Sequence, residues 1–334
     1  MKIGSFIAPW IYPEEVLLSE QFNYGHREVL LASNSMPQDL IFLASLQHGW
    51  THTRVGTPLL KKRNLQNYPV MVWSSRIANG FLKANGNNVV VTGSPWVHLL
   101  RALGITPLFL PQPANAGGKL VFFPSHSLPG ASATHNYDID NFIKTYGKHN
   151  VTVCLFWMDF IDPEIRAYYA KFSCQVVCLG YRGSSGFETP WAPTGGRTMF
   201  LPRLLDVLQS HDIIAVTDVS TPFWYALSLG KKLFITSEQE NHRVWSRSTY
   251  IDFKGSYSSF AKSEHNLPIF PVGKVIEPTQ ELVQVALEEL GWQESEGVMK
   301  SNEIGQLLKI SKLDKELINP LTRFIELRKY SKQS

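Results

Sequence analysis

A histidine flanked by two serines, Ser125-His126-Ser127, closely follows an apolar run at Lys119–Phe123. One imidazole and two hydroxyls at the end of a strand can bind a diphosphate, and a protonated imidazole there would neutralise charge that develops on a departing phosphate. The alternative is a histidine that only hydrogen-bonds its own loop. We predict that Ser125, His126 and Ser127 bind the phosphates of a donor nucleotide.

A second pair of hydroxyls, Ser220 and Thr221, comes between the apolar run Ile213–Thr217 and a helix that Pro222 is expected to begin. The free backbone N–H groups and the dipole at a helix N-terminus favour an anion, and the hydroxyls can add hydrogen bonds to it. The alternative is that the two side chains only cap the helix. We predict that Ser220 and Thr221 bind a donor phosphate.

A glycine-rich loop that begins at Gly180 follows a third apolar run, Gln175–Leu179. Glycine allows the backbone to approach a flat base or a ribose closely, and Arg182 could pair with phosphate. Gly180 and Arg182 are therefore predicted to be donor-binding residues.

In the first third of the chain, His48 precedes Gly49 at the end of the apolar stretch Asp39–Leu46. An unperturbed imidazole titrates close to neutral pH, so His48 is the predicted general base for an acceptor hydroxyl. Gly49, His52 and Arg54 are the predicted acceptor-binding residues, and His52 is the alternative base.

Patterns for other chemistries are missing from the sequence, including a Walker A loop, a GxSxG elbow, an HExxH helix and an Asp-x-Asp triplet. Cys154, Cys174 and Cys178 show neither CxxC spacing nor a histidine cluster, which is typical of reduced, buried thiols. We expect no metal and no cofactor, with the nucleotide-activated donor serving as a substrate.

Short apolar runs alternate with helix-length amphipathic segments along the chain, which predicts an α/β fold with parallel sheets flanked by helices. The remaining predicted strands are Glu28–Ala32, Val70–Ser74, Asn88–Thr92, Thr152–Phe156 and Lys232–Thr236. The predicted helices are Pro95–Ala102, Ile139–Tyr146, Pro163–Lys171, Leu201–Ser210 and Thr279–Leu290.

The length of 334 residues is more than one ordinary domain needs, which suggests two. The stretch between Gly104 and Lys119 is rich in proline and glycine, so we place a boundary near residue 112. Residues 1–111 would form an acceptor-binding Rossmann-like domain, and residues 112–334 a nucleotide-binding one with C-terminal helices. A cleft between the domains would hold the reaction.

The net charge of +4 is too small and too dispersed for a nucleic-acid-binding protein, and suits a phosphate-bearing substrate or an anionic membrane surface. The sequence has no apolar run long enough to span a bilayer, so we expect a soluble protein. Its three cysteines suit reduced thiols, which favours a cytoplasmic one. The predicted last helix, Asn319–Tyr330, has basic residues beside an apolar face. It either attaches the protein to the inner face of the membrane or packs on the body of the protein.

These segments resemble those of the GT-B glycosyltransferases that build bacterial surface polysaccharides. The run from Thr217 to Ile235, TDVSTPFWYALSLGKKLFI, is similar to their donor-side signature and to the matching segment of CDP-glycerol glycerophosphotransferases. The QHGW run at Gln47–Trp50 resembles the His-Gly element of those polymerases. FPSHS at Phe123–Ser127 resembles the second histidine element of bacterial sialyltransferases and Kdo transferases.

The resemblance implies a metal-independent sugar transfer from a nucleotide-sugar to a glycan or lipid-linked acceptor in capsule or lipopolysaccharide synthesis. Configuration inverts if one direct displacement occurs. Three alternatives stay open: a CDP-polyol phosphotransferase, a nucleotide-sugar epimerase of the same fold, and a non-catalytic subunit that binds nucleotide-sugars.

Overall fold

The computed structural model describes residues 21, 23–47, 49–50, 68–79, 89–107, 118–126, 135, 137–180, 199–236, 268, 270–298 and 301–310. The strands, numbered in chain order, are β1 Leu40–Phe42, β2 Ser45–Leu46, β3 Val70–Val72, β4 Val89–Val91, β5 Leu120–Phe123, β6 Val151–Leu155, β7 Gln175–Cys178, β8 Ile213–Val216, β9 Lys232–Ile235, β10 Val275–Ile276 and β11 Leu308–Ile310. The α-helices are α1 His26–Ser33, α2 Pro95–Ala102, α3 Ile139–Tyr146, α4 Trp157–Ile161, α5 Pro163–Ala170, α6 Phe200–Ser210, α7 Thr221–Ser228, α8 Gln280–Glu289 and α9 Asn302–Leu307.

The larger sheet has six strands in the order β10-β9-β8-β5-β6-β7. Five of them are parallel, and β10 is antiparallel to β9 at the edge. From β5 the chain first builds outward through β6 and β7, then returns to the other side of β5 for β8 and β9. This is the strand order of a doubly wound sheet, with its switch point between β5 and β8.

Both faces of this sheet are covered at its central strands, β5, β6 and β8, which are buried along almost their whole length. Leu120 and Phe122 of β5 belong to a buried cluster with the aromatic and aliphatic side chains of α3 and α5. Val121, between them, faces a different cluster that includes α6 and α7. The predicted α/β fold with helices on parallel sheets is therefore confirmed in this coarse form.

The first half of the chain contributes a smaller parallel sheet, β2-β3-β4, and β1 pairs with β11 in a separate two-stranded sheet. The predicted stretch Asp39–Leu46 is thus divided, since β1 and β2 belong to different sheets. The predicted strand Glu28–Ala32 is wrong, because these residues lie in α1. Its run of Val29, Leu30 and Leu31 is almost completely buried, and a short buried helix has no periodicity to distinguish it from a strand.

The hydrophobic cluster that contains α7 extends into the first half of the chain. Trp96 of α2 stacks on Tyr225 of α7 with ring centroids 4.5 Å apart and an interplanar angle of 5°. The Trp96 indole N–H also donates to Ser228 Oγ, at 3.0 Å. Aromatic burial thus joins segments from both sides of residue 112, while the predicted boundary itself lies outside the described residues.

The segment after α8 returns to the first half of the chain. Ser94 N–H donates to the carbonyl of Leu290 at 2.8 Å, and Arg101 donates to the carbonyl of Trp292 at 2.6 Å. Gly291 ends α8 with φ +71°, and a Cβ at this position would lie 1.8 Å from the Trp73 carbonyl oxygen. Only glycine fits such a close approach of two backbones.

Among the described residues, no helix has both the length and the apolar character needed to cross a membrane. The predicted helix Asn319–Tyr330 lies outside the described residues.

Candidate functional site

Two of the predicted polar loops meet at the carboxyl edge of the six-stranded sheet. Ser125 follows β5, Thr217 follows β8, and the two strands are parallel neighbours in register from Leu120 and Ile213 onward. The Ser125 and Thr217 hydroxyl oxygens are 2.9 Å apart. This pair lies at the switch point of the sheet, where open α/β sheets bind their ligands.

Helix α7 begins at Thr221, four residues after Thr217 in the chain. Ser220 is the N-cap residue, with φ −139° and ψ 179°, and its side chain makes no capping hydrogen bond. The N-cap side chains of Ser94, Asp138, Asp162, Thr279 and Ser301 accept the expected amide hydrogen bonds. The capping interpretation therefore does not account for the Ser220 hydroxyl, and the N-terminal amides of α7 lack that acceptor.

Thr221 connects this helix to the predicted acceptor side. Its Oγ1 accepts a hydrogen bond from the Trp50 backbone N–H at 2.9 Å. A Cβ at Gly49 would lie 3.4 Å from the same oxygen, so the turn approaches Thr221 closely. Because a hydroxyl is one donor and two acceptors, Thr221 can accept from Trp50 and still donate its own proton.

The Gln47–Trp50 turn is held from both of its ends. Gln47 Oε1 accepts from the Trp73 backbone N–H at 3.0 Å, and Gln47 Nε2 donates to the Gly49 carbonyl at 2.8 Å. The Trp50 indole N–H donates to Glu289 Oε2 at 2.6 Å, and its ring lies 5.3 Å from that of Trp224. His48, between the held residues, lies outside the described residues.

His126 lies at the same edge as Ser125, and its ring centroid is 4.5 Å from that of Phe156, which directly follows β6. The Ser125 backbone N–H donates to the Tyr137 hydroxyl at 3.2 Å, and Tyr168 donates to the Tyr137 carbonyl at 2.9 Å. Tyr137 thereby supports the loop that carries Ser125.

Gly180 follows the edge strand β7, so β6 separates it from the Ser125 loop. Its φ is +103°, a conformation that favours glycine, and its N–H donates to Cys178 Sγ at 3.4 Å. Burial raises the pKa of the Cys178 thiol. The cation described nearby is Arg203, which donates to the Leu179 carbonyl at 3.1 Å and whose pKa is lowered by burial.

The structure therefore pairs Ser125 with Thr217 at the ends of β5 and β8, and separately places the backbone of Gly49 and Trp50 against Thr221. Ser220 precedes Thr221 in the loop after β8, and His126 is adjacent to Ser125. Gly180 lies farther along that edge. The other predicted site residues lie outside the described residues: His48, His52, Arg54, Ser127 and Arg182.

Three residues of this region were not predicted from the sequence as site residues: Thr217, Trp50 and Glu289. Thr217 could have been found, since it is the first polar residue after the apolar strand Ile213–Val216. Glu289 carries no local signal, because its partners are more than 200 residues away in sequence, and only the fold brings them together.

Among the described residues, no group of three or more His, Cys, Asp or Glu side chains is placed to hold a metal ion. Cys154, Cys174 and Cys178 are free thiols, of which Cys154 is fully buried and the others partly exposed. The chain matches no protein-family model and no curated protein.

Proposed function

We propose that this protein is a glycosyltransferase that moves a sugar from a nucleotide-activated donor to a glycan or lipid-linked acceptor of a bacterial surface polysaccharide. The observation that carries the proposal is the pair of hydroxyls, Ser125 and Thr217, at the switch point of a doubly wound sheet. Shortly after Thr217 in the chain, α7 begins with an N-cap serine that makes no capping hydrogen bond. Hydroxyls and the N-terminal amides of a helix at such a point suit a diphosphate.

In this proposal the fold is of the GT-B type. Residues 112–334 bind the donor, and residues 1–111 bind the acceptor across a cleft. The donor phosphates accept hydrogen bonds from Ser220, Thr221 and the α7 amides, while His126 neutralises charge on the leaving nucleotide. Ser127, Gly180 and Arg182 complete the donor side.

The acceptor side of the proposed site is the Gln47–Trp50 turn, because its Trp50 amide bonds to the first residue of α7. His48 is the proposed base that deprotonates the acceptor hydroxyl, with His52 and Arg54 as acceptor-binding residues. A single displacement on the donor sugar would invert its configuration. Basic residues near the C-terminus would bring the enzyme to the membrane that carries a lipid-linked acceptor.

Nucleotide binding is the first test, with the full chain and separate samples of CMP, CDP, UDP, GDP and dTDP. A nucleotide at one hundred times its dissociation constant stabilises the folded state by about 2.7 kcal/mol, which a thermal shift detects. Ser220→Ala should weaken this binding about tenfold and leave the melting temperature nearly unchanged, because one charge-assisted hydrogen bond is lost.

Ser301→Ala is the matched control, since Ser301 is an N-cap residue whose side chain does accept an amide hydrogen bond. It should lower the free energy of unfolding by about 1 kcal/mol without changing nucleotide affinity. If none of the five nucleotides raises the melting temperature, the proposed donor site is wrong.

Catalysis is tested with the activated donor of the nucleotide that binds. His48→Ala should lower turnover by about 10² to 10⁴ while nucleotide affinity is unchanged, because a general base acts on the acceptor only. New phosphate in the product would identify the phosphotransferase alternative instead of sugar transfer. Donor isomerisation without acceptor would identify the epimerase, and nucleotide binding without any turnover would identify the non-catalytic subunit.

A further inference from the structure

We propose that Glu289 of α8 is a positioning residue for the Gln47–Trp50 turn, acting through Trp50 and Arg76; its catalytic consequence rests on the function proposed above. Glu289 is almost completely buried, with 3% of its surface exposed. Its carboxylate accepts the Trp50 indole N–H at 2.6 Å and two guanidinium N–H groups of Arg76 at 2.5 Å each.

The three side chains form one unit, which we call the Glu289 clamp: Trp50, Arg76 and Glu289. The Arg76 guanidinium also lies over the Trp50 ring, with its carbon 5.9 Å from the ring centroid. A buried carboxylate is stable only when it is paired and hydrogen-bonded, and here both conditions are met by the same two partners. The buried Glu289 carboxylate is therefore stable only while Trp50 and Arg76 stay bonded to it.

The Glu289 clamp fixes the position of Trp50 at one end of the turn, and Trp73 fixes the position of Gln47 at the other end. Trp73 holds Gln47 through two hydrogen bonds, from its backbone N–H and from its indole N–H, each 3.0 Å long. Trp50 is held by two helices from the second half of the chain, through Glu289 in α8 and through Thr221 in α7. In the sequence, Gln47 directly precedes the proposed base His48 and Trp50 follows it two residues later, so the two anchored residues flank that position.

Glu289 is also placed to align the two sides of the proposed site. Trp50 packs against Trp224 of α7, the helix whose N-terminus carries Ser220 and Thr221. Loss of the carboxylate bonds would let Trp50 move relative to α7. An error of about 1 Å in the position of a catalytic group can lower turnover about 100-fold.

The first readout of the test uses the whole 334-residue chain and three substitutions. Glu289→Gln removes the charge, and Trp50→Phe removes the indole N–H while keeping an aromatic ring against Trp224. Glu288→Gln is the matched control, because this neighbouring carboxylate on α8 is exposed and accepts a hydrogen bond from Gln284, one turn earlier in the same helix, at 2.9 Å. Trp50→Phe is the milder change and remains informative if Glu289→Gln does not fold.

The first readout is hydrogen–deuterium exchange of the peptide that contains the turn, without any ligand. Exchange should become about tenfold faster in Glu289→Gln and Trp50→Phe, because opening of the turn becomes easier, and should stay at the wild-type rate in Glu288→Gln. Unchanged exchange in both clamp variants would overturn the proposal regardless of what the protein catalyses.

The second readout separates turnover from donor binding, using the nucleotide that the thermal-shift comparison selects and its activated donor. Turnover should fall about 10- to 100-fold in the clamp variants while the nucleotide dissociation constant stays within twofold. Arg76→Lys, which keeps a charged donor, should retain more turnover than Arg76→Met.

Faster exchange with wild-type turnover would refute the positioning role. If exchange becomes faster in the clamp variants but the wild-type protein shows no turnover, the clamp is supported and the proposed function is overturned.

Discussion

Acid should destabilise this protein through His98, a histidine of α2 that the fold keeps neutral. Only 2% of His98 is exposed. Its Nε2–H donates to the Thr92 carbonyl at 2.8 Å, and Nδ1 is 3.1 Å from Asn34 Nδ2, which also donates to the Leu30 carbonyl at 2.8 Å. Nδ1 therefore accepts a hydrogen bond, and a proton on it would face an amide NH₂ group.

Burial, together with the nearby charge of Arg101, lowers the pKa of His98 from 6.5 to about 4, against the opposing effect of the Thr92 hydrogen bond. Between these two values the unfolded chain binds a proton that the folded chain does not, so the free energy of unfolding falls as the pH falls. Each pKa unit of this difference changes the free energy of unfolding by about 1.36 kcal/mol. The loss of stability is therefore about 3 kcal/mol at a pH below both pKa values and about 2 kcal/mol near pH 5.

The experiment compares the wild type with His98→Gln by urea unfolding, followed by tryptophan fluorescence, near pH 7.5 and near pH 5. The wild type should lose about 2 kcal/mol more between the two conditions than the variant, because glutamine does not titrate. Burial also lowers the pKa of His211, but that residue is present in both proteins and cancels. His149→Gln, at an exposed site, is the control and should behave as the wild type. Equal pH dependence in wild type and His98→Gln would refute the reasoning.

Three further predictions concern single contacts. Gly291→Ala should lower the free energy of unfolding, measured with urea, by about 4 kcal/mol or more, because the new Cβ would meet a backbone oxygen. Gly273→Ala, at a similar positive φ but in open space, should lower it by about 1 kcal/mol, and equal losses in the two variants would contradict this reasoning. Thr221→Val should speed hydrogen exchange of the Trp50 amide and Thr221→Ser should not, because only valine removes the hydroxyl that accepts from this amide. Identical exchange in both variants would count against the Trp50–Thr221 hydrogen bond. Cys154 should resist iodoacetamide in the native protein and react after denaturation, because burial raises the pKa of its thiol, and rapid native labelling by peptide mass spectrometry would disprove this.

The second half of the fold could be predicted from the sequence because its signals are local. Helix α3 has the predicted bounds Ile139–Tyr146, and Asp138 caps it by accepting the Asn141 N–H at 3.1 Å. Strands β5 to β9 are short apolar runs with a polar residue or glycine soon after each one, and each was predicted to within one residue at either end. In these segments local propensity, capping and burial all favour the same element.

The first half was harder to predict for a physical reason. Helix α1 is buried around Val29–Leu31 and lacks the polar face by which a helix is recognised in a sequence. The split between β1 and β2 depends on β11, a strand from residues 308–310 that pairs with β1. A strand partner that is more than 250 residues away leaves no trace in the local pattern.

For the candidate site, the sequence by itself determined which residue types follow each strand: serine and histidine after β5, and threonine, aspartate and serine after β8. Only the tertiary structure decided that β5 and β8 are neighbours and that the Ser125 and Thr217 hydroxyls meet. It also decided that Trp50 bonds to Thr221 and Glu289. The reason is that strand order and long-range hydrogen bonds depend on how the whole core packs, whereas the polarity of a strand end is a property of its own few residues.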